Sequence, residues 1–313
     1  MGKEETAYGT TTYQDSEIPS VREGAPTQIS PRGWWAALKE TVKQIKVDRV
    51  TFTAGALAYY WFLALFTALI ALVGVVTLVQ LQQSTINNLV KGIDTIAPGG
   101  VSQIFQTAIT NATQTSTGGT TAVIIGLAVA VWSATSGMAA LTTGLNLAYG
   151  VAEDRKLIPK RINAFVLMIA VLVLGGIALA LIAFGPQIGT LIEHDVPVAG
   201  YVFMWVWTVV RWIVALLAIS TLFSVIYYLG PKRPSPRWTW VSPGGIFGTA
   251  IWIAASLGFS FYTSSMGSYG KTYGAFAGVA VLILWLYITG LAVLIGAELN
   301  AQLEGEQVRT DSL

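Results

Sequence analysis

The sequence predicts an all-α membrane protein: a bundle of six transmembrane helices with both termini in the cytoplasm, an N-terminal interfacial amphipathic helix and short external helices. Three observations predict it. Charge is scarce, with 11% charged and 54% hydrophobic residues, where a soluble domain carries about 25% charged residues. Six stretches approach or exceed the roughly 20 apolar residues that a membrane helix requires. The basic residues crowd into alternate loops, as the positive-inside rule demands.

The six stretches run from Phe52 to Val79, Thr120 to Leu141, Ile162 to Phe184, Val202 to Leu229, Gly244 to Phe261 and Ala275 to Leu294. The fifth is the shortest and is rich in small residues. No strand alternation of the outer-membrane-barrel kind is present. Of the 18 basic residues, only Lys91, Lys271 and Arg211 lie away from the N-terminal region, the loops after the second and fourth spans, and the C-terminal tail. That basic side is expected to be the cytoplasm.

The domain plan follows. Residues 1–30 are polar and lack a signal-peptide core, so they predict a disordered cytoplasmic tail. Residues 31–303 form the membrane domain, and 304–313 a cytoplasmic tail. Within the domain, Pro31 suits a helix start. Trp34, Trp35, Leu38, Val42 and Ile45 follow at helical spacing, and Lys39, Lys43 and Lys46 can reach lipid headgroups, as in an interfacial helix. Between the first two spans, Ile86, Leu89, Val90 and Ile93 predict one short external helix. Val101, Ile104, Phe105 and Ala108 predict another, beyond Pro98-Gly99-Gly100. Glu193, His194 and Asp195 are expected in a solvated external loop.

Several function classes are excluded. A chain with no cysteine and one histidine has no thiolate metal site, iron–sulfur cluster or multi-histidine zinc site. No metal site or cofactor is expected. A net charge of +2 is too small for nucleic-acid binding by bulk electrostatics, so no nucleic-acid partner is expected. No P-loop, GxSxG, HExxH or paired-acid constellation stands out, and no catalytic residue is assigned. The expected partners are membrane lipids, an anionic lipid or amphiphile as substrate, and a second copy in a homo-oligomer.

Candidate path residues are few. Arg211 lies inside the fourth span, where an arginine costs about 2.5–3.5 kcal/mol on insertion scales. It reads either as an anion contact in a transport path or as a structural clamp on carbonyl oxygens. Glu298, at the inner end of the sixth span, reads as a proton or cation site or as an interfacial carboxylate. A direct pair between the two is not expected, because their heights differ. Ser133 and Ser136 place hydroxyls in the second span, along a polar path or bonded to neighbouring backbone. Gly244 and Gly248, and Gly270, Gly274 and Gly278, have the spacing of close helix contacts. The second and sixth spans both carry a tryptophan, Trp132 or Trp285. Both also end in Leu-Asn, at Leu145-Asn146 and Leu299-Asn300.

Four blocks carry a family resemblance: Asp48 to Phe66, Trp132 to Lys156, Ile226 to Trp252, and Tyr269 to Glu304. Together they resemble the YihY/BrkB family, long labelled ribonuclease-BN-like, over roughly Trp34 to Leu303. Thr67 departs from the proline common there and should straighten the first helix. The resemblance implies a six-helix inner-membrane protein linked to envelope integrity, with no settled activity. A zinc nuclease needs several His and acidic ligands, so the ribonuclease label fits this composition poorly. The leading expectation is a non-enzymatic transporter of a lipid, lipid-linked precursor or other amphiphile. The alternatives are an ion-coupled carrier such as a cation/proton antiporter, and a non-transporting envelope scaffold.

The orientation is directly testable, because there is no native cysteine to interfere. Single cysteines at Lys91 or Lys271 should react with an impermeant reagent in intact cells. Those at Lys156, Lys232 or Arg309 should not. The reverse labelling pattern would invert the topology.

Overall fold

A computed structural model describes residues 31–79, 120–151, 155–195, 200–233, 241–265 and 275–311, with single positions between 82 and 92. The described elements are all helical: α1 (Pro31–Val47), α2 (Val50–Val79), α3 (Thr120–Ala148), α4 (Leu157–Ala170), a π-helical turn (Val171–Gly175), α5 (Gly176–Asp195), α6 (Gly200–Leu229), α7 (Pro243–Ser265) and α8 (Ala275–Asp311). The π turn joins α4 and α5 into one span, so the bundle contains six helices long and apolar enough to cross a membrane. The second external helix expected after Pro98 lies outside the described residues, as do Gly270 and Gly274.

Several boundaries differ from the sequence expectation, among them the end of α3, which runs past Leu141 to Ala148. The third span is longer than the 162–184 stretch, and α5 carries helix through Glu193, His194 and Asp195, where a loop was expected. Likewise, α8 runs on through the 304–311 segment expected as tail. The third span runs on although Gly185 and Pro186 follow Phe184 directly, so the helix carries a proline in its interior.

The helix ends are set by local chemistry. Ser242 caps α7: its Oγ accepts the Gly245 N–H at 3.0 Å, and Pro243 occupies the first helical position, where its missing N–H costs nothing. At the end of α3, Val151 N–H bonds Asn146 O at 2.8 Å and Gly150 N–H bonds Leu147 O at 2.9 Å. This Schellman closure places Gly150 at φ 60, a conformation natural to glycine. Thr67, in place of the expected proline, turns its hydroxyl back onto Ala64 O at 2.8 Å, and α2 continues through it.

The interfacial helix is less simply amphipathic than its spacing implied. Ala37 and Thr41 are buried, and Trp34, Leu38 and Ile45 pack on the bundle. Trp35 and Val42, expected on the same face, are 60% and 63% exposed. α1 therefore offers apolar surface to two sides, one held by α8 and the other outward.

The core is concentrated at one end. Val50, Ala54 and Leu57 of α2 meet Leu141, Leu145 and Ala148 of α3, Leu167 of α4, Leu222, Phe223, Ile226 and Tyr227 of α6, and Val293, Leu294 and Ala297 of α8. All these belong to the helix halves nearest α1, so this is also the basic end. α6 packs on α5 on one side and on α7 on the other. α2, α3, α7 and α8 stay together, while α5 packs along α6 and makes no comparable contact with α2, α3 or α8.

Closest approach is made through glycine. A Cβ on Gly296 would lie 2.7 Å from Gly244 O and 3.0 Å from Gly248 Cα, and would also strike the Tyr227 hydroxyl. Gly296→Ala should therefore force α7 from α8 and destabilise the protein by about 1–3 kcal/mol, the usual cost of overpacking. Gly258→Ala, with nothing within 4 Å, should leave stability unchanged or raise it. Melting temperatures in one detergent decide the point, and equal losses in both variants would refute it.

Candidate functional site

The polar groups of the described bundle gather at the basic end, around the loop between α6 and α7. Two asparagines hold that loop. Asn146 Oδ1 accepts the Lys232 N–H at 2.9 Å, and Asn300 Oδ1 accepts the Gly244 N–H at 3.2 Å. The two Leu-Asn pairs thus do equivalent work at opposite ends of one loop. The tryptophans that accompany them do not: Trp132 is 67% exposed beneath the Arg161 guanidinium, while Trp285 donates to Ser256 at 3.3 Å.

A second layer closes over the asparagines. Asn300 Nδ2 donates to Tyr149 Oη and Glu304 Oε1, each at 2.9 Å. Arg233 forms an ion pair with Glu304, donates to Tyr227 O at 2.8 Å and stacks 4.4 Å from the Tyr149 ring centroid. Its planar guanidinium allows the simultaneous fork and stack. Deeper in, Tyr227 Oη donates to Val293 O at 2.9 Å, tying α6 to α8. Ser220, Ser224, Ser242 and Thr249 bond to one another across α6 and α7. The result is a clasp joining α3, α6, α7 and α8.

Beside this clasp lies the least satisfied group of the site. Glu298 is fully buried, and neither of its carboxylate oxygens has a hydrogen-bond donor. It was expected either as an interfacial carboxylate or as a proton or cation site, and no paired acids stood out in the sequence. Instead the side chain of Asp48, in the two-residue turn between α1 and α2, comes within hydrogen-bonding reach of it. Two carboxyl groups share this contact, so a proton must sit between them for a hydrogen bond to form. Burial holds the Asp48 carboxyl above the usual aspartate range, and the hydrogen bond with Glu298 offsets part of that rise.

The remaining candidates lie elsewhere. Arg211 is half-buried in α6. Its side chain lies across Gly185, where an added Cβ would come 2.8 Å from Arg211 Cδ. Its Nε is buried without a partner, and Trp207, one turn earlier, donates to Gly185 O at 2.6 Å. Arg211 is thus placed against α5, while Glu298 is placed against the start of α2. Ser136 accepts from Arg161 at 2.9 Å and donates to Trp132 O at 2.9 Å; Ser133 is half-buried nearby on α3. Gly244 and Gly248 line the contact with Gly296 and Tyr227, and Gly278 lies half-buried on α8.

Sequence reasoning missed Asp48, Tyr149, Arg233 and Glu304. Only the repeated Leu-Asn pairs hinted at them, and only the fold brings the four blocks together. No group of three or more His, Asp or Glu able to hold a metal occurs among the described residues.

Fold and site define a multi-pass α-helical membrane protein whose helices are clasped by polar side chains at one end. The chain belongs to the family described as virulence factor BrkB, whose profile matches residues 41–312. It is 34% identical over 267 residues to a ribonuclease-like protein, YfkH, of Bacillus subtilis, covering 85% of this chain and 94% of that protein. It is 27% identical over 284 residues to a UPF0761 membrane protein of Vibrio campbellii, covering 87% of this chain and 83% of the relative. A UPF0761 membrane protein of Aromatoleum aromaticum is 27% identical over 67% of this chain, a match spanning 49% of the relative's length. No solved structure matches the chain significantly.

The acid pair has a signature in stability. Folded Asp48 holds its proton more tightly than an unfolded aspartate does. Its contribution is therefore complete below the ordinary value of 3.8 and is lost as pH rises through the raised folded value. Wild type should lose thermal stability over that rise. Asp48→Asn, which fixes the protonated shape, should lose less, and Glu298→Gln should be more stable than wild type at neutral pH. Parallel pH profiles for the three proteins would remove the pair from consideration.

Proposed function

We propose that this protein is a proton-linked carrier, not an enzyme, and that its cargo is an amphiphile with an anionic head. The observation that carries the proposal is Glu298: a fully buried carboxyl inside a membrane span, without a donor, facing Asp48. Ionisable groups at membrane depth are costly and mark ion paths and proton relays by default. The shared proton makes the contact attractive, and its loss leaves two like charges, one of them fully buried, which repel. Proton release would therefore push α8 from the start of α2, beside the clasp that closes the basic end. Proton uptake would draw them together again.

An access path beside α5 is supported by its packing: it runs along α6 and makes no comparable contact with α2, α3 or α8. Arg211 stands on that pair with its Nε unpaired, which favours an anionic group as cargo. By the positive-inside rule, the clasped end faces the cytoplasm. This reading raises the ion-coupled alternative above a proton-independent lipid transporter, because Glu298 has a second carboxyl, Asp48, within reach.

The test uses the full chain in proteoliposomes loaded with a pH-sensitive dye. Gradients of sodium, potassium, and a short-chain phosphatidic acid are imposed in turn. The expected result is proton movement driven by the anionic amphiphile. Glu298→Gln should abolish it with the melting temperature intact or raised, and Arg211→Gln should abolish amphiphile dependence while Arg211→Lys retains part. Proton movement driven by sodium or potassium alone would overturn the cargo assignment. Absence of proton movement under every gradient would overturn the carrier and favour the scaffold.

A further inference from the structure

Between α1, the first turns of α7 and α8 lies a groove of about 510 Å³, lined by Trp34, Leu38, Pro243, Phe247, Ala250 and Leu299 among others. Its volume lies within the roughly 300–1,000 Å³ typical of small-molecule sites. The described lining carries no charged side chain and includes none of Asp48, Glu298 and Arg211. Leu299 is almost fully buried and forms its floor, while Ile246 at its edge is 55% exposed. The groove thus opens sideways, where α7 enters the membrane, and what reaches it from that side is lipid.

The helix that forms one wall also carries charge. Arg32, Lys39 and Lys46 recur every seven residues along α1. Seven residues make nearly two helical turns, so the three form one stripe. No carboxylate among the described residues pairs with any of them; the one acid of α1, Glu40, is held by Lys43 at 3.0 Å. Lys39 follows groove-lining Leu38 by a single residue, and its Nζ lies 5.5 Å from the ring centroid of exposed Trp35. An apolar slot flanked by a basic stripe and an interfacial tryptophan complements one kind of molecule: a phospholipid with an anionic head.

We infer that this groove is a binding site for one acyl chain of an anionic phospholipid from the leaflet at the basic end, with its phosphate on the Arg32–Lys39 side of α1. The lipid extends the contact between α1 and the bundle, filling the space that Ala37 and Leu38 leave against Phe247. The site needs no proton gradient and no cargo, so it stands or falls independently of the carrier reading.

The experiment reconstitutes the full chain in phosphatidylcholine vesicles doped with a phosphatidylglycerol whose acyl chain bears a photoreactive diazirine. Adducts are mapped by peptide mass spectrometry. The expected result is enrichment at Trp34, Leu38 and Phe247 over lipid-facing Leu172 and Val173. Ala250→Trp should fill the slot and reduce groove adducts several-fold without changing those at Leu172. Ala250→Phe serves the same purpose if the larger ring disturbs folding. The double variant Arg32→Gln, Lys39→Gln should erase the preference over a photoreactive phosphatidylcholine while keeping the acyl adducts. Equal labelling of the groove and the outer faces would overturn the site, showing only annular lipid. Groove labelling unaffected by both filling variants would also overturn it. So would a groove free of adducts, meaning that protein from this chain or a second copy occupies it.

Discussion

The architecture depends on how closely α7 and α8 approach. Backbone meets backbone where Gly244 and Gly248 face Gly296, leaving no room for a side chain. That proximity is what lets Asn300 reach the first turn of α7 and lets the Tyr227 hydroxyl reach Val293 O. In a membrane there is no hydrophobic drive between helices that are already in oil. Association rests on van der Waals fit and interhelical hydrogen bonds. The glycine contact supplies the first and positions the groups that supply the second. Separate these helices and the asparagine, the tyrosine and the clasp beyond them lose their partners together.

The clasp explains why polar residues cluster at this end. Each buried donor or acceptor here has been withdrawn from water, and an unpaired one costs about 1–3 kcal/mol. Most are satisfied: Asn300 uses both ends of its amide, and Arg233 spreads its charge over a carboxylate, a carbonyl and an aromatic face. Arg233 leaves only its Nε without a partner, whereas Glu298 lacks a donor to either oxygen. A carboxyl whose neighbour is another carboxyl is satisfied in only one protonation state. The contact is conditional where the rest of the clasp is not.

The six spans were legible because lipid imposes a length and a composition that soluble folding does not. The basic residues were legible as a set lying at one end, and the structure places α1 and the end of α8 there together. The site was only partly legible. Glu298 and Arg211 stood out as charges within apolar runs. Asp48 did not, because it lies just outside the first span, where an acid is ordinary. Tyr149, Arg233 and Glu304 also sit beyond span ends, and their significance comes from contacts spanning 71 to 151 residues of sequence. Helical periodicity reports which way a residue points on its own helix, and is silent about what waits there. α1 shows the same limit: its spacing gathered Trp35 with Trp34, yet a helix wedged between a bundle and lipid has two apolar sides.

The π turn at Val171–Gly175 carries a consequence of its own. A π turn accommodates one residue more than an α turn, and such turns recur at functional sites. Gly175 and Gly176, at its end, have open space where a side chain would be. Moving the extra residue by one turn exchanges a few hydrogen bonds without breaking the helix. Compared with a continuous α-helix, the extra residue offsets the faces of the two halves by roughly 100°. The α4 half is anchored in the core through Leu167, while the α5 half packs along α6. The π turn thereby sets which face of α5 meets α6 independently of the face that Leu167 turns to the core, so one continuous span serves two differently oriented contacts.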